Sequence, residues 1–225
     1  MPLLLRYGVA LAFFICVAVL SFEIVRTLSF GEKPLHAQPK ASSVRGVLYA
    51  FGRGMMPWEK ESARKHLPTY FAGVAYHTGI FVGLFYLFCV ALSVELGVLA
   101  LSLLRFLLIC GFLSGSGLLL KRVFSSSMRE LSCPDDYAAN SIVDAFLLLA
   151  AIDTYFGSAS RQGNTTWLLL LVSIIMFLYI PLGKIRHCFF FFYVRVLLGR
   201  FYGRRGVWPG GTAGARGLGR GLEQR

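Results

Sequence analysis

Five stretches of this chain stay apolar for longer than a soluble core requires, and they dictate what it can fold into. They run approximately over 7–24, 70–94, 99–120, 137–156 and 166–182, and the last continues as an apolar helix towards Leu198. Crossing a bilayer as a helix takes roughly 20 mostly apolar residues. Only helices and closed barrels satisfy their backbone inside lipid, and continuous runs like these are not the alternating strands of a barrel. The predicted fold is therefore all-α, an integral membrane bundle of five transmembrane helices over 1–202, followed by a Gly/Arg-rich tail over 203–225. Composition agrees: only 15% of residues are charged, against about a quarter in a soluble domain.

The positions of those few charges carry topology. Eight Lys and Arg lie between Arg26 and Lys65, three between Lys121 and Arg129, and nine from Lys184 onward, so 20 of the 23 fall on one side of a five-helix path. Arg6, Arg105 and Arg161 are left for the other side. By the positive-inside rule the N-terminus is expected outside, in the periplasm, and the C-terminus in the cytoplasm, as for a multi-pass protein of the inner (cytoplasmic) membrane. Basic residues that flank apolar runs are topology signals, so the net charge of +12 does not point to nucleic acid. The first run lacks a convincing small-x-small cleavage site and is longer than a signal core, so it is expected to remain as a helix.

Cys16, Cys89, Cys110, Cys133 and Cys188 are scattered and form no CxxC pair. That spacing offers no disulfide framework, zinc site, iron–sulfur cluster or covalent haem attachment. The histidines are more informative. His36 lies in a polar connection, and His66 follows the charged run 59–65 and precedes Pro68, at the membrane surface. His77 and His187 are each embedded in apolar sequence, where an ionisable side chain is a functional candidate. At 1.5 Å per residue His77 stands roughly 13 Å from the cytoplasmic end of its helix, and His187 roughly 12–16 Å from the end near Arg195 or Leu198. Similar depth on antiparallel helices suits two axial ligands of a haem between bundle helices. It suits equally two histidines that hydrogen-bond neighbouring helices.

The stretch Phe71-Ala72-Gly73-Val74-Ala75-Tyr76-His77-Thr78-Gly79-Ile80-Phe81 resembles the second helix of the respiratory nitrate reductase gamma subunit, and the segment from Met176 to Cys188, with Tyr179-Ile180-Pro181 and Ile185-Arg186-His187-Cys188, resembles its fifth. Helix number, length and orientation extend the likeness over nearly the whole chain. The runs Pro57-Trp58-Glu59-Lys60-Glu61-Ser62 and Gly203-Arg204-Arg205-Gly206-Val207 look closer to the cytochrome b subunits of the Dsr-type and high-molecular-weight cytochrome (Hmc-type) complexes of sulfate reducers. The resemblance implies haem b held by His77 and His187. It also implies electron relay between menaquinol (menaquinone) or a periplasmic multihaem cytochrome c and a cytoplasmic heterodisulfide-reductase-like iron–sulfur subunit, beside other membrane subunits. The gamma subunit carries two haems. The positions of its second ligand pair hold Leu87 and Leu169 here, so the resemblance implies one haem, on the cytoplasmic side. Such a chain is an electron-transfer subunit and not a complete enzyme; the alternative is a haem-free membrane anchor.

Other polar residues leave choices open. Lys184 and Arg186 are candidates to pair with haem propionates, or they snorkel to the interface. Gly111 and Gly115 form a small-residue stripe that admits either a macrocycle or a neighbouring helix. Asp144 and His66 are candidates for a quinone site or proton path, although Asp144 is near enough to the helix end to be solvated. Asp153 is expected at the outer interface. Asp135 and Asp136 read as a helix N-terminus, where carboxylates favour the dipole. Arg105 is either the outer end of the third helix or a buried cation. The apolar stretch 44–56, with spaced Arg, reads as a short amphipathic helix lying on the membrane, and the tail from Gly203 reads as disordered until a partner orders it.

Overall fold

The computed structural model of the chain describes residues 2–31, 38–156 and 163–209; His36, Arg161 and residues 210–225 of the tail lie outside them. Among the described residues every regular element is helical: α1 (Pro2–Ser29), α2 (Ser43–Phe51), α3 (Glu61–Lys65), α4 (Leu67–Ala91), α5 (Val98–Phe124), α6 (Ser126–Glu130), α7 (Pro134–Phe156), α8 (Asn164–Tyr179) and α9 (His187–Arg204). Helices α1, α4, α5 and α7 are each long and apolar enough to cross a membrane. The segment from Asn164 to Arg204 qualifies only as a broken pair, giving four spans or five. The chain divides into two compact units, one of residues 1–22 and 68–186, the other of 23–67 and 187 onward.

In the first unit, polar links at the helix ends fix an alternating up-and-down path. Arg6 on α1 bonds the Ser93 hydroxyl just beyond the end of α4. At the opposite end Lys121 of α5 bonds Thr69 of α4 at 2.7 Å, and Arg122 pairs with Asp136 of α7 at 2.9 Å. Between these ends the helices approach through glycine. A methyl group on Gly79 would stand 2.6 Å from the Gly111 Cα, and one on Gly83 would meet the Phe146 ring at 2.8 Å. Leu108, Phe146, Leu147, Leu169 and Leu170 are fully buried, while Phe81, Phe85, Phe88, Phe106 and Leu113 face outward. An apolar exterior of this extent is a liability in water and the expected surface in lipid.

The fifth predicted helix is not continuous. Pro181 has no N–H to continue the ladder, and the chain turns instead, with Leu182 and Gly183 both bonding the Tyr179 carbonyl at 3.0 and 2.9 Å. The Asp135 carboxylate accepts the Lys184 backbone N–H at 2.7 Å and the Tyr179 hydroxyl. Asp136 accepts the Lys184 ammonium at 2.7 Å. A 3₁₀ turn over Lys184–Arg186 follows, and a new helix begins at His187. The count from His187 to Arg195 or Leu198 therefore lies within this new helix and not within one continuous with α8.

In the second unit α2 lies against α9. Gly46 faces Gly199 and Gly203, and a methyl group on Gly199 would stand 2.6 Å from the Val47 Cα. Gly199 and Gly203 are spaced as the small-xxx-small pair that lets helices touch backbone to backbone. The Arg195 guanidinium bonds the Ala50 carbonyl at 3.1 Å, and the Lys40 N–H bonds the Arg204 carbonyl at 2.8 Å. Trp208 packs on Tyr202 and Tyr49, with ring centroids 4.7 and 5.7 Å away. The stretch expected as one amphipathic helix over 44–56 is thus helical only to Phe51 and continues as two 3₁₀ turns. Val44 and Leu48 remain exposed on it. The first residues of the predicted tail are ordered too, because α9 runs through Gly203 to Arg204.

Glu59 ties this second unit together, accepting the Tyr49 hydroxyl at 2.7 Å and the Arg53 Nε at 2.5 Å. The Tyr49 hydroxyl first, then the Arg53 guanidinium, hold its carboxyl below the ordinary glutamate range. Burial pushes the nearby Lys60 amine down, and the Arg195 charge adds to it.

Two outcomes follow from this packing. Gly79→Ala should destabilise the first unit by ~1–3 kcal/mol, the usual cost of forcing atoms into a filled space. Gly117→Ala, with nothing within 4 Å of the added methyl, should be neutral or slightly stabilising, and thermal unfolding in detergent compares the two. In the second unit a carboxyl with a lowered folded pKa stabilises at pH above its unfolded value, and that stability is lost as pH falls through the folded value. Protection factors for amide exchange across 43–60, corrected for the intrinsic rate at each pH, should therefore fall on acidification below the ordinary glutamate range, and Glu59→Gln should abolish that fall.

Candidate functional site

His77 lies on α4 with its ring exposed on the same outer face as Val74, Thr78 and Phe81. Its Nδ1 stands 2.7 Å from the Gly73 carbonyl one turn earlier. A carbonyl can only accept, so Nδ1 carries the proton and Nε2 holds the lone pair. This is how a ligating histidine is ordinarily set, with the remote nitrogen presented to a metal and its basicity raised by the bond behind it. Space is open above Gly73 itself, where a methyl group would meet nothing within 4 Å.

His187 is the first residue of α9 and is exposed, as are Arg186 before it and Cys188 after it. His77 belongs to the first unit and His187 to the second. Lys184 is committed to Asp136, so its ammonium serves the helix break. Gly111 and Gly115 are taken up by packing: Gly111 meets Gly79, while Gly115 is crowded by the Tyr76 ring and the Asp144 carboxylate. His66 is exposed and ends α3, its N–H bonding the Ala63 carbonyl at 3.1 Å. Among the described residues no three His, Cys, Asp or Glu side chains gather as a metal cluster.

The acids of α7 differ most from expectation. Asp153, expected at an interface, is 2% exposed. It accepts three hydroxyls: Tyr86 at 2.9 Å, Thr165 at 2.9 Å and Thr166 at 2.7 Å. Asp144 is 6% exposed, and neither of its oxygens has a hydrogen-bond partner. The nearby Tyr76 hydroxyl bonds the Asn140 carbonyl at 3.4 Å, and the Asn140 amide bonds the Gly115 carbonyl at 3.2 Å. Arg105 is half-buried; its guanidinium bonds the Thr154 carbonyl and lies 4.3 Å from the Tyr155 ring centroid.

Tyr76, Tyr86, Asn140, Thr165 and Thr166 were not singled out by the sequence reading, although a signal existed. Tyr76 and Tyr86 are ten residues apart on α4, about 15 Å, and Asp144 and Asp153 nine apart on α7, about 13.5 Å. Two helices running in the same direction bring such pairs into register. Three hydroxyls make Asp153 a satisfied acid, two on Oδ1 and the Tyr86 hydroxyl on Oδ2, and Tyr86→Phe should cost ~1–3 kcal/mol, the desolvation of a buried acceptor left unpaired. Thermal unfolding of the purified variant measures it, with Thr78→Val, on the exposed face of α4, as the neutral comparison. No family model and no curated protein matches the chain, so its chemistry rests on these residues.

Proposed function

We propose that this chain is a haem b-binding membrane subunit of a respiratory redox complex, in which His77 and His187 would hold one haem. The observation that carries the reading is the Nδ1–H bond from His77 to the Gly73 carbonyl, which fixes the ring's tautomer on an apolar helix. The exposure of both imidazoles and the resemblance of their flanking sequence to the nitrate reductase gamma subunit support it. A haem there supplies one-electron exchange. The chain's own residues supply the rest: the Gly73 carbonyl fixes the tautomer and orientation of His77, and the exposed Arg186 offers a cation beside His187 for a propionate.

The placement of basic residues supports an inner-membrane protein with its N-terminus in the periplasm and its C-terminus in the cytoplasm. In that orientation exposed Arg45, Arg53, Arg64, Lys65, Arg200 and Arg205 form a basic cytoplasmic surface. Such a surface steers an acidic redox partner into encounter. The reading places a cytoplasmic heterodisulfide-reductase-like iron–sulfur subunit there. Menaquinol or a periplasmic multihaem cytochrome c exchanges electrons from the other direction, with other membrane subunits alongside. Gly111 and Gly115 favour a second reading, a haem-free membrane anchor, because their space is already filled by Gly79, Tyr76 and Asp144.

A reduced-minus-oxidised spectrum of the purified chain decides between the two. The haem reading expects a b-type band that is lost in both His77→Ala and His187→Ala while the variants keep their helical content. Absence of the band from the intact chain favours the anchor, whereas its persistence in both variants overturns His77 and His187 as the residues that hold the haem.

A further inference from the structure

Burying polar groups in lipid is tolerated when they are paired, and α7 carries both the rule and an exception. Asp153 holds three hydroxyl donors. Asp144 is buried as deeply beside the Tyr76 hydroxyl, which is directed to the Asn140 carbonyl, and neither Asp144 oxygen receives a well-formed hydrogen bond. An ionised carboxylate left so costs several kcal/mol after relaxation, and a group of this kind inside a membrane segment marks a function by default.

We propose that Asp144 is a proton-exchanging site, a carboxyl that carries a proton in the resting bundle and releases and regains it reversibly. The step breaks and forms a single O–H bond: the acid becomes carboxylate, and the proton passes to water at the end of the bundle where α7 begins. Asp136 lies at that end, eight residues before Asp144 or about 12 Å along the helix. Asn140 stands midway, bonded by the Tyr76 hydroxyl and to the Gly115 carbonyl.

The surrounding charges leave the site to itself. Tyr76 faces it from α4. On α5, Cys110 is the titratable residue between Arg105 and Lys121, and those two cations serve Thr154 and Thr69. On α7, Asp136 is paired with Arg122 and Lys184, and Asp153 is satisfied by hydroxyls. On α8, which packs on α7, Tyr179 is the titratable residue, and it bonds Asp135. The inference does not depend on a haem.

Dicyclohexylcarbodiimide, an apolar reagent that adds to protonated carboxyls, tests it on the full chain in detergent, with adducts mapped by mass spectrometry. Asp144 should be modified in preference to Asp153, whose oxygens are taken up by three hydroxyls. The adduct should form more slowly as pH is raised. Infrared spectra should show a carboxylic C=O band that fades over the same pH range and is missing from Asp144→Asn. If that variant fails to fold, the adduct map of the unaltered chain still decides. An unmodified Asp144, equal modification of both acids, or an adduct insensitive to pH overturns the proposal.

Discussion

Lipid offers apolar side chains as good a neighbour as they offer one another, so helices within it are held by close approach and by hydrogen bonds. The chain uses both, and the rest of its structure depends on them. Gly79 against Gly111 brings α4 onto α5 at backbone distance, and Gly46 against Gly199 and Gly203 does the same for α2 and α9. Each contact gathers many weak dispersion terms at once. A single added methyl is therefore felt at Gly79 and not at Gly117, although both are helical glycines in the same unit.

Polar bonds then fix which residues meet. Along α7, Asp135 and Asp136 secure the chain break before α9, Asn140 reaches α5, and Asp153 gathers hydroxyls from α4 and the start of α8. Asp144 sits within this series without a partner of its own. The contrast has meaning because the neighbouring acids show what the fold does when it satisfies a carboxylate.

Much of this architecture was legible in the residues. Apolar runs longer than a bilayer requires placed α1, α4, α5 and α7 within a few residues of where they lie, because backbone satisfaction in lipid leaves a long apolar run no alternative to helix. The break at Pro181 was less legible. Apolar sequence continues on both sides of it, and the residues that stabilise it, Asp135 and Asp136, come from another helix. Asp153 was misplaced for a related reason: its three donors are contributed by α4 and α8, and hydropathy along α7 records none of them. For the candidate site, the isolation of His77 in apolar sequence was visible, whereas the Gly73 bond that sets its tautomer required the helix to be built. Gly111 and Gly115 were read as a stripe with two uses, and only the positions of Gly79, Tyr76 and Asp144 show how their space is filled.

The acids of α7 also bear on how the protein is assembled. Of the four long spans it is the least apolar, and an aspartate at the centre of a lone span costs roughly 2.5–3.5 kcal/mol on insertion. Asp144 stands near that centre, whereas Asp153, near the end of the span, takes its donors from α4, which is made earlier, and from α8, which is made later. Of these four spans α7 is thus the one that gains most from its neighbours: the donor set of its buried Asp153 is complete only when the chain beyond it is present.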